Sequence, residues 1–175
     1  MDQKLIENWN SVVGPNDYIF HLGDFCFKGS PYWDKMLNQL NGHKFLILGN
    51  HDFKNLRDGA MVKFDWVGQQ CYINIEGRSI FLNHFPFLCY GGTYRSPENV
   101  ILEAHGHVHL SPYDMSGKDI QRLQYCFPTQ YDVGVDANNF TPISFKELNE
   151  KINYQIETGK NQYQVMMESF SKDKN

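Results

Sequence analysis

Residues 44–52, Lys44-Phe45-Leu46-Ile47-Leu48-Gly49-Asn50-His51-Asp52, run from a short apolar stretch straight into a polar loop. The apolar part is too short for a helix and reads as a buried strand, with Gly49 ending it. Working upstream, Ser30-Pro31 supplies an N-cap and a first-turn proline. Trp33, Met36, Leu37 and Leu40 follow at helical spacing, and Asn41-Gly42 stops that helix. Before it, Tyr18 to Leu22 is a second strand-like run, ended by Gly23-Asp24. Strand, helix, strand, with a polar loop after each strand, is a βαβ unit. Met1 to Val13 carries Leu5, Ile6, Trp9 and Val13 on one side of an amphipathic helix, closed by the turn Gly14-Pro15-Asn16-Asp17.

Downstream the pattern changes. Gln70–Ile75 and Ser79–Leu82 flank Glu76-Gly77-Arg78 as a β-hairpin, whose second strand runs into Asn83-His84. Val100–Ala104 is a strand that delivers His105-Gly106-His107-Val108-His109, and further strands are expected over Gln121–Phe127 and Tyr131–Val135. Ser144-Phe145-Lys146-Glu147 is a capping box, with Ile143 and Leu148 as its hydrophobic staple, so a helix starts near Phe145. Beyond Gln155 the pattern is weak. No repeat, low-complexity tract or linker interrupts the chain.

The 175 residues are 41% hydrophobic and 21% charged, which suits one globular domain of mixed α/β order. Sixteen Lys and Arg against twenty Asp and Glu leave a formal charge of −4, so no basic excess marks a sequence-independent nucleic-acid binder. The apolar runs are too short to span a bilayer, and no secretory signal opens the chain. Four scattered cysteines form neither a disulfide framework nor a thiolate zinc site. A cytoplasmic location is expected.

Four polar clusters each follow an apolar run: Gly23-Asp24, Gly49-Asn50-His51-Asp52, Asn83-His84 and Gly106-His107-Val108-His109. Ligand-binding loops gather at the carboxyl ends of strands in α/β sheets. Imidazole, carboxylate and amide oxygen together suit divalent ions of intermediate hardness. Taken singly, each residue is better read as turn chemistry or a hydrogen-bonded core group, and His21 and His43 stay under that reading. Taken jointly, the recurrence of ligand types after successive strands favours one metal-binding cleft.

In this order the four clusters resemble the motifs of calcineurin-like metallophosphoesterases, over nearly the whole chain up to the Phe145 helix. Val133-Gly134-Val135-Asp136 with Pro142 resembles the end of small bacterial and phage members. The resemblance implies an α/β fold of two facing β-sheets flanked by helices, a four-layer sandwich. Its domain would span 1–155, with 156–175 as a C-terminal extension, partly disordered or helical. It implies that Asp24 bridges two ions, that Asn50, His84 and His107 complete the first site, and that His109 serves the second. His51 becomes the non-ligand acid that assists the leaving oxygen, and Asp52 the group that orients it. The family opens with an Asp-x-His element on its first strand. Nothing before Asp24 reads that way, so the chain resembles a member that starts late, lacking that strand and holding one ion better than two.

The function so implied is hydrolysis of a phosphomonoester or phosphodiester, as a phosphatase or phosphodiesterase, by in-line attack of metal-bound hydroxide. One or two divalent ions per chain (Mn, Fe, Ni or Zn) would be the cofactors. The alternative is a catalytically weakened relative acting as a binding or assembly module. A plain His-rich metal store fits worse, because it has no need of His51 and Asp52. Expected partners are a phosphorylated small molecule or nucleotide, with a homo-oligomer also in view. Phe85, Phe87, Tyr90 or Tyr94 could line a pocket for a base or aryl group, or simply pack a loop.

Overall fold

The computed structural model describes residues 2–57, 63–111 and 119–172. Helix α1 (Asp2–Val12) leads into strand β1 (Tyr18–His21), helix α2 (Ser30–Leu37), strand β2 (His43–Ile47), the short helix α3 (Phe53–Arg57) and strand β3 (Trp66–Gly68). β1, β2 and β3 pair in parallel as one sheet, with β2 central. The second sheet is β4 (Gln70–Ile75), β5 (Arg78–Asn83), β6 (Leu102–His105) and β7 (Gln130–Asp132), in that order. Its first pair is antiparallel and the others parallel. Helices α4 (Phe145–Thr158) and α5 (Gln162–Lys172) follow. The mixed α/β fold with two sheets and flanking helices is the one the motifs imply.

Alternation along the strands builds the layers. On β2, Leu46 packs with Trp33 and Leu37 of α2, whereas Ile47 turns to the opposite face and joins Ile80, Leu82, Leu102 and Ala104 of the second sheet. The two sheets therefore face one another across a common core, into which α4 adds Leu148 and Ile152. Helix α1 covers the first sheet through Ile6 and Trp9 in a cluster with Ile19 and Leu40. Ser144 caps α4 as expected: its hydroxyl accepts from Glu147 N–H, and the Glu147 carboxylate accepts from the Ser144 amide.

Several local expectations are corrected. Gln121–Phe127 is not a strand: Ile120–Tyr125 is a 3-10 helix, with Ile120 and Leu123 both buried. Their spacing of three puts both on one side of a 3-10 turn, where a strand would set them on opposite faces. β7 ends at Asp132, because Gly134 turns the chain into a second 3-10 turn over Val135–Ala137. Gly29, not Ser30, holds the N-cap position of α2. Strand β3 had no alternating pattern to reveal it and forms by pairing with β2. In the hairpin, Glu76 and Gly77 both adopt positive φ (52° and 84°), as a tight two-residue turn requires. The Asn74 carboxamide oxygen accepts from Gly77 N–H and steadies it.

α4 crosses residue 155 without a break, and α5 is tied to the rest of the fold. Gln162 brackets Asp132, accepting from its amide (2.6 Å) and donating to its carbonyl (3.2 Å). Asn161 donates to the carbonyls of Gln124 and Cys126.

Candidate metal centre

Because β1 and β2 run parallel, as do β5 and β6, their carboxyl ends bring four loops to one edge of the facing sheets. The seam between sheets is closed there by hydrogen bonds. The Leu22 carbonyl, at the end of β1, accepts from His84 Nδ1, at the end of β5, at 2.7 Å, and within the second sheet the His84 carbonyl accepts from Gly106 N–H at 3.1 Å. Gly23 is obligatory at this seam. It adopts φ 94°, and a Cβ there would come within 2.3 Å of His84 Nδ1 and 2.6 Å of Gly49 N.

Asp24, His84 and His107 place one ligand atom each within 4.8 Å of one another. His84 is buried, and its Nδ1 proton goes to the Leu22 carbonyl, so Nε2 of the neutral ring presents a lone pair. That nitrogen faces Asn50 Oδ1 and His107 Nδ1, each at 3.1 Å, and Asp24 Oδ2 at 3.5 Å. With its proton on Nδ1, His84 has none to give to the Asn50 and Asp24 oxygens that face its Nε2. This donor set fits a divalent cation. Burial holds the His107 imidazole below its usual range, with Asp24 opposing, which favours the neutral ring a metal needs.

Backbone strain marks the same place. Asp24, His107 and His109 adopt φ of 56°, 68° and 54°, a region side-chain-bearing residues seldom occupy. Asp24 is held by three groups: its amide donates to Asp52 Oδ2, its Oδ1 accepts from the His51 amide, and Gly49 leaves room for its carboxylate.

The other site residues fall in two groups. Asn50 joins the cluster through its Oδ1. His51 lines the same opening as Asp24 and His107, its ring edge against Phe27 at 4.9 Å. His109 also lines the opening, but stays outside the cluster of three. Its Nδ1 pairs with Asp136 Oδ2 at 2.7 Å. Asp52 sits behind this cluster. Its carboxylate is fully buried and accepts from the amides of Asp24 (2.8 Å), Gly49 (2.8 Å) and Phe25 (3.0 Å). Asp52 therefore locks the β1 loop to the β2 loop.

Sequence reasoning missed the supports. Asp132 is fully buried, and its Oδ2 accepts from Leu110 N–H directly after His109. Asp136 holds His109, and only its place beyond Val133-Gly134-Val135 hinted at it. On the far face of the second sheet, Glu103 pairs with His105 (2.9 Å) and accepts from Gln130. Burial alone would lower His105, yet the Glu103 charge, its hydrogen bond and the Asp132 charge together outweigh it and the net shift is upward. His21 is half-buried against Phe25, and desolvation keeps it below the usual imidazole range. His43 lies at the surface beside Asp65.

A set of lone-pair donors at the carboxyl edge of two facing sheets defines a metal-binding α/β sandwich. The model of the calcineurin-like phosphoesterases matches residues 3–143, and the chain belongs to that family. It is 29% identical over 147 residues to the uncharacterized protein MJ1445 of Methanocaldococcus jannaschii, covering 82% of this chain and 70% of that one. The gene 66 protein of Mycobacterium phage D29 is 28% identical over 181 residues, covering 90% and 85%. Among solved structures, the protein of unknown function AQ665 from Aquifex aeolicus superposes with a TM-score of 0.60 at 27% identity, covering 85% of this chain and 83% of that one. No helix among the described residues is long and apolar enough to cross a membrane.

Proposed function

We propose that the protein hydrolyses a phosphate ester of a small molecule or nucleotide at this edge, with a divalent ion (Mn, Fe, Ni or Zn) as cofactor. The observation that carries the reading is the convergence of Asp24, Asn50, His84 and His107, with His51 on the wall of the same opening. Asp24, Asn50, His84 and His107 would hold the ion, and His109 would serve a second. When bound, the ion supplies Lewis acidity toward the phosphoryl oxygens and the attacking water. The chain's own groups do the rest. In the overall reaction the oxygen of water bonds to phosphorus, the ester P–O bond breaks, and the alcohol departs with a proton. His51 is the group placed to give that proton at its ring nitrogen, a contribution typically of about 10²–10⁴ in rate. Asp24 Oδ1 holds the His51 amide, so acid and ligand move as one unit.

A second reading has its own support. His109 is turned to Asp136 and its side chain is 65% exposed, so the second ion is the weaker one. A catalytically weakened protein retained for binding or assembly follows if that ion is needed. The test is elemental analysis beside hydrolysis of aryl phosphomonoesters and phosphodiesters with Mn²⁺ or Ni²⁺. His84→Ala and His107→Ala should lose metal. His51→Ala should keep it and lose turnover by about 10²-fold or more. Equal metal loss in all three, or hydrolysis that survives exhaustive chelation, would overturn the assignment. Retained metal with no turnover on any ester would favour the second reading.

A further inference from the structure

The loop from β1 to α2 leaves one large apolar ring in water beside the site. Phe27 is 71% exposed, although its ring edge touches His51 at 4.9 Å and it lines the opening with Asp24, His51, His107 and Asp119. A single exposed phenylalanine is ordinary. This one is not free to wander. Immediately before it, the Cys26 carbonyl accepts from Trp33 Nε1 at 2.8 Å and from Asn55 Nδ2 at 3.1 Å. Immediately after it, the Lys28 amide donates to Cys26 Sγ at 3.4 Å. The backbone is pinned on both sides, and the ring has been left uncovered. A ring held in place before a ligand arrives loses little freedom when one stacks on it.

The other candidate aromatics lie away from the opening. Phe85 lies edge-on to His84 and His107 at 4.7 and 4.5 Å and so covers imidazoles. Phe87 and Tyr90 pack with Phe81 on the second sheet. Tyr94 sits against Phe127, and none of the four lines the opening. The cavity itself holds about 270 Å³. That is near the small end of ligand pockets, which run from roughly 300 to 1,000 Å³.

We infer that Phe27 is the stacking platform for a flat aromatic ring on the leaving alcohol of the substrate. The inference rests on the phosphoesterase reading, which puts His51 on the leaving-group side; Phe27 touches His51, so it faces that alcohol. Stacking of a base on an aromatic side chain is worth a factor of about 5 to 100 in binding. Either a simple aryl alcohol or a nucleoside supplies such a ring.

The test compares phenylphosphonate with methylphosphonate, neither of which can be hydrolysed at its P–C bond, as inhibitors and by calorimetry on the metal-loaded protein. Phenylphosphonate should bind wild type about 5- to 100-fold more tightly than methylphosphonate. The ratio should fall toward one in Phe27→Ala and return in Phe27→Trp, with metal content unchanged in both. In turnover, Phe27→Ala should raise KM for phenyl and nucleoside esters and leave that for an alkyl ester alone. A rise for the phenyl ester only identifies a simple aryl group; a rise for both identifies a nucleobase. Hydrolysis with no phenyl preference, or a ratio unmoved by Phe27→Ala, would overturn the stacking role while leaving the phosphoesterase reading intact. Failure to hydrolyse any ester, with no binding of either phosphonate, would remove both.

Discussion

Asp52 shows how one carboxylate organises a site from behind. With no exposure and three backbone N–H groups on its oxygens, it sets the distance between the loop that carries Asp24 and the loop that carries Asn50 and His51. Asp52→Asn turns one acceptor oxygen into a donor facing an amide. It should therefore cost about 2 kcal/mol of stability, within the range for charge-assisted bonds, and also loosen the ion. Urea unfolding and elemental analysis check both. Full stability and full metal, with turnover lost, would return Asp52 to the role of orienting His51. Cysteine reactivity gives a separate check at this scale. Burial pushes the Cys126 thiol up to about 12, with Glu103 and Asp132 adding to it, whereas Cys89 is exposed. At pH 8 iodoacetamide should label Cys89 well before Cys126 in the native protein, read by mass spectrometry, since the thiolate is the reactive form.

Among the elements, α4 owes its start to the capping box. Ser144→Ala removes one of its two reciprocal bonds and should lower stability by roughly 1 kcal/mol, measured by denaturant unfolding. The Glu147 carboxyl is held below its ordinary range, first by the Ser144 hydroxyl and then by the Ser144 amide. The folded pKa is thus the lower one, so its contribution is present above the ordinary carboxylate range and is lost as pH falls through the folded value. The stability gap between wild type and Glu147→Gln should accordingly be wider at pH 7 than at pH 3. A gap that does not narrow on acidification would mean the cap works without its charge.

For the molecule as a whole, the facing of the two sheets matters most. Ile47 comes from the first sheet, Ile80 and Leu102 from the second and Ile152 from α4, and all are almost wholly buried in one cluster. Ile152→Ala, far along the chain from the metal loops, should cost about 2–5 kcal/mol. The folded fraction should keep its metal, since no ligand loop is touched. Unfolding followed by two probes and metal analysis of the folded protein test this together. Loss of metal from the folded variant would show that the core, and not only the loops, sets the ligand geometry.

By itself the sequence determined what local chemistry controls. Apolar runs ended by Gly23 and Gly49, the hairpin around Glu76-Gly77 and the Ser144 cap are legible because each signal lies within a few residues of its effect. The candidate site residues were legible too, since Asp24, Asn50, His84 and His107 each follow a strand. Tertiary structure decided the rest. β3 exists through its partner β2, and Ile120–Tyr125 coils because Ile120 and Leu123 share one buried face. The work of Asp52 depends on which amides lie near it, and the partner of His109 stands 27 residues away in Asp136. Parallel pairing within each sheet, and the facing of the two sheets, brought four distant loops to one edge. Such contacts carry no local periodicity, so no window of the sequence displays them.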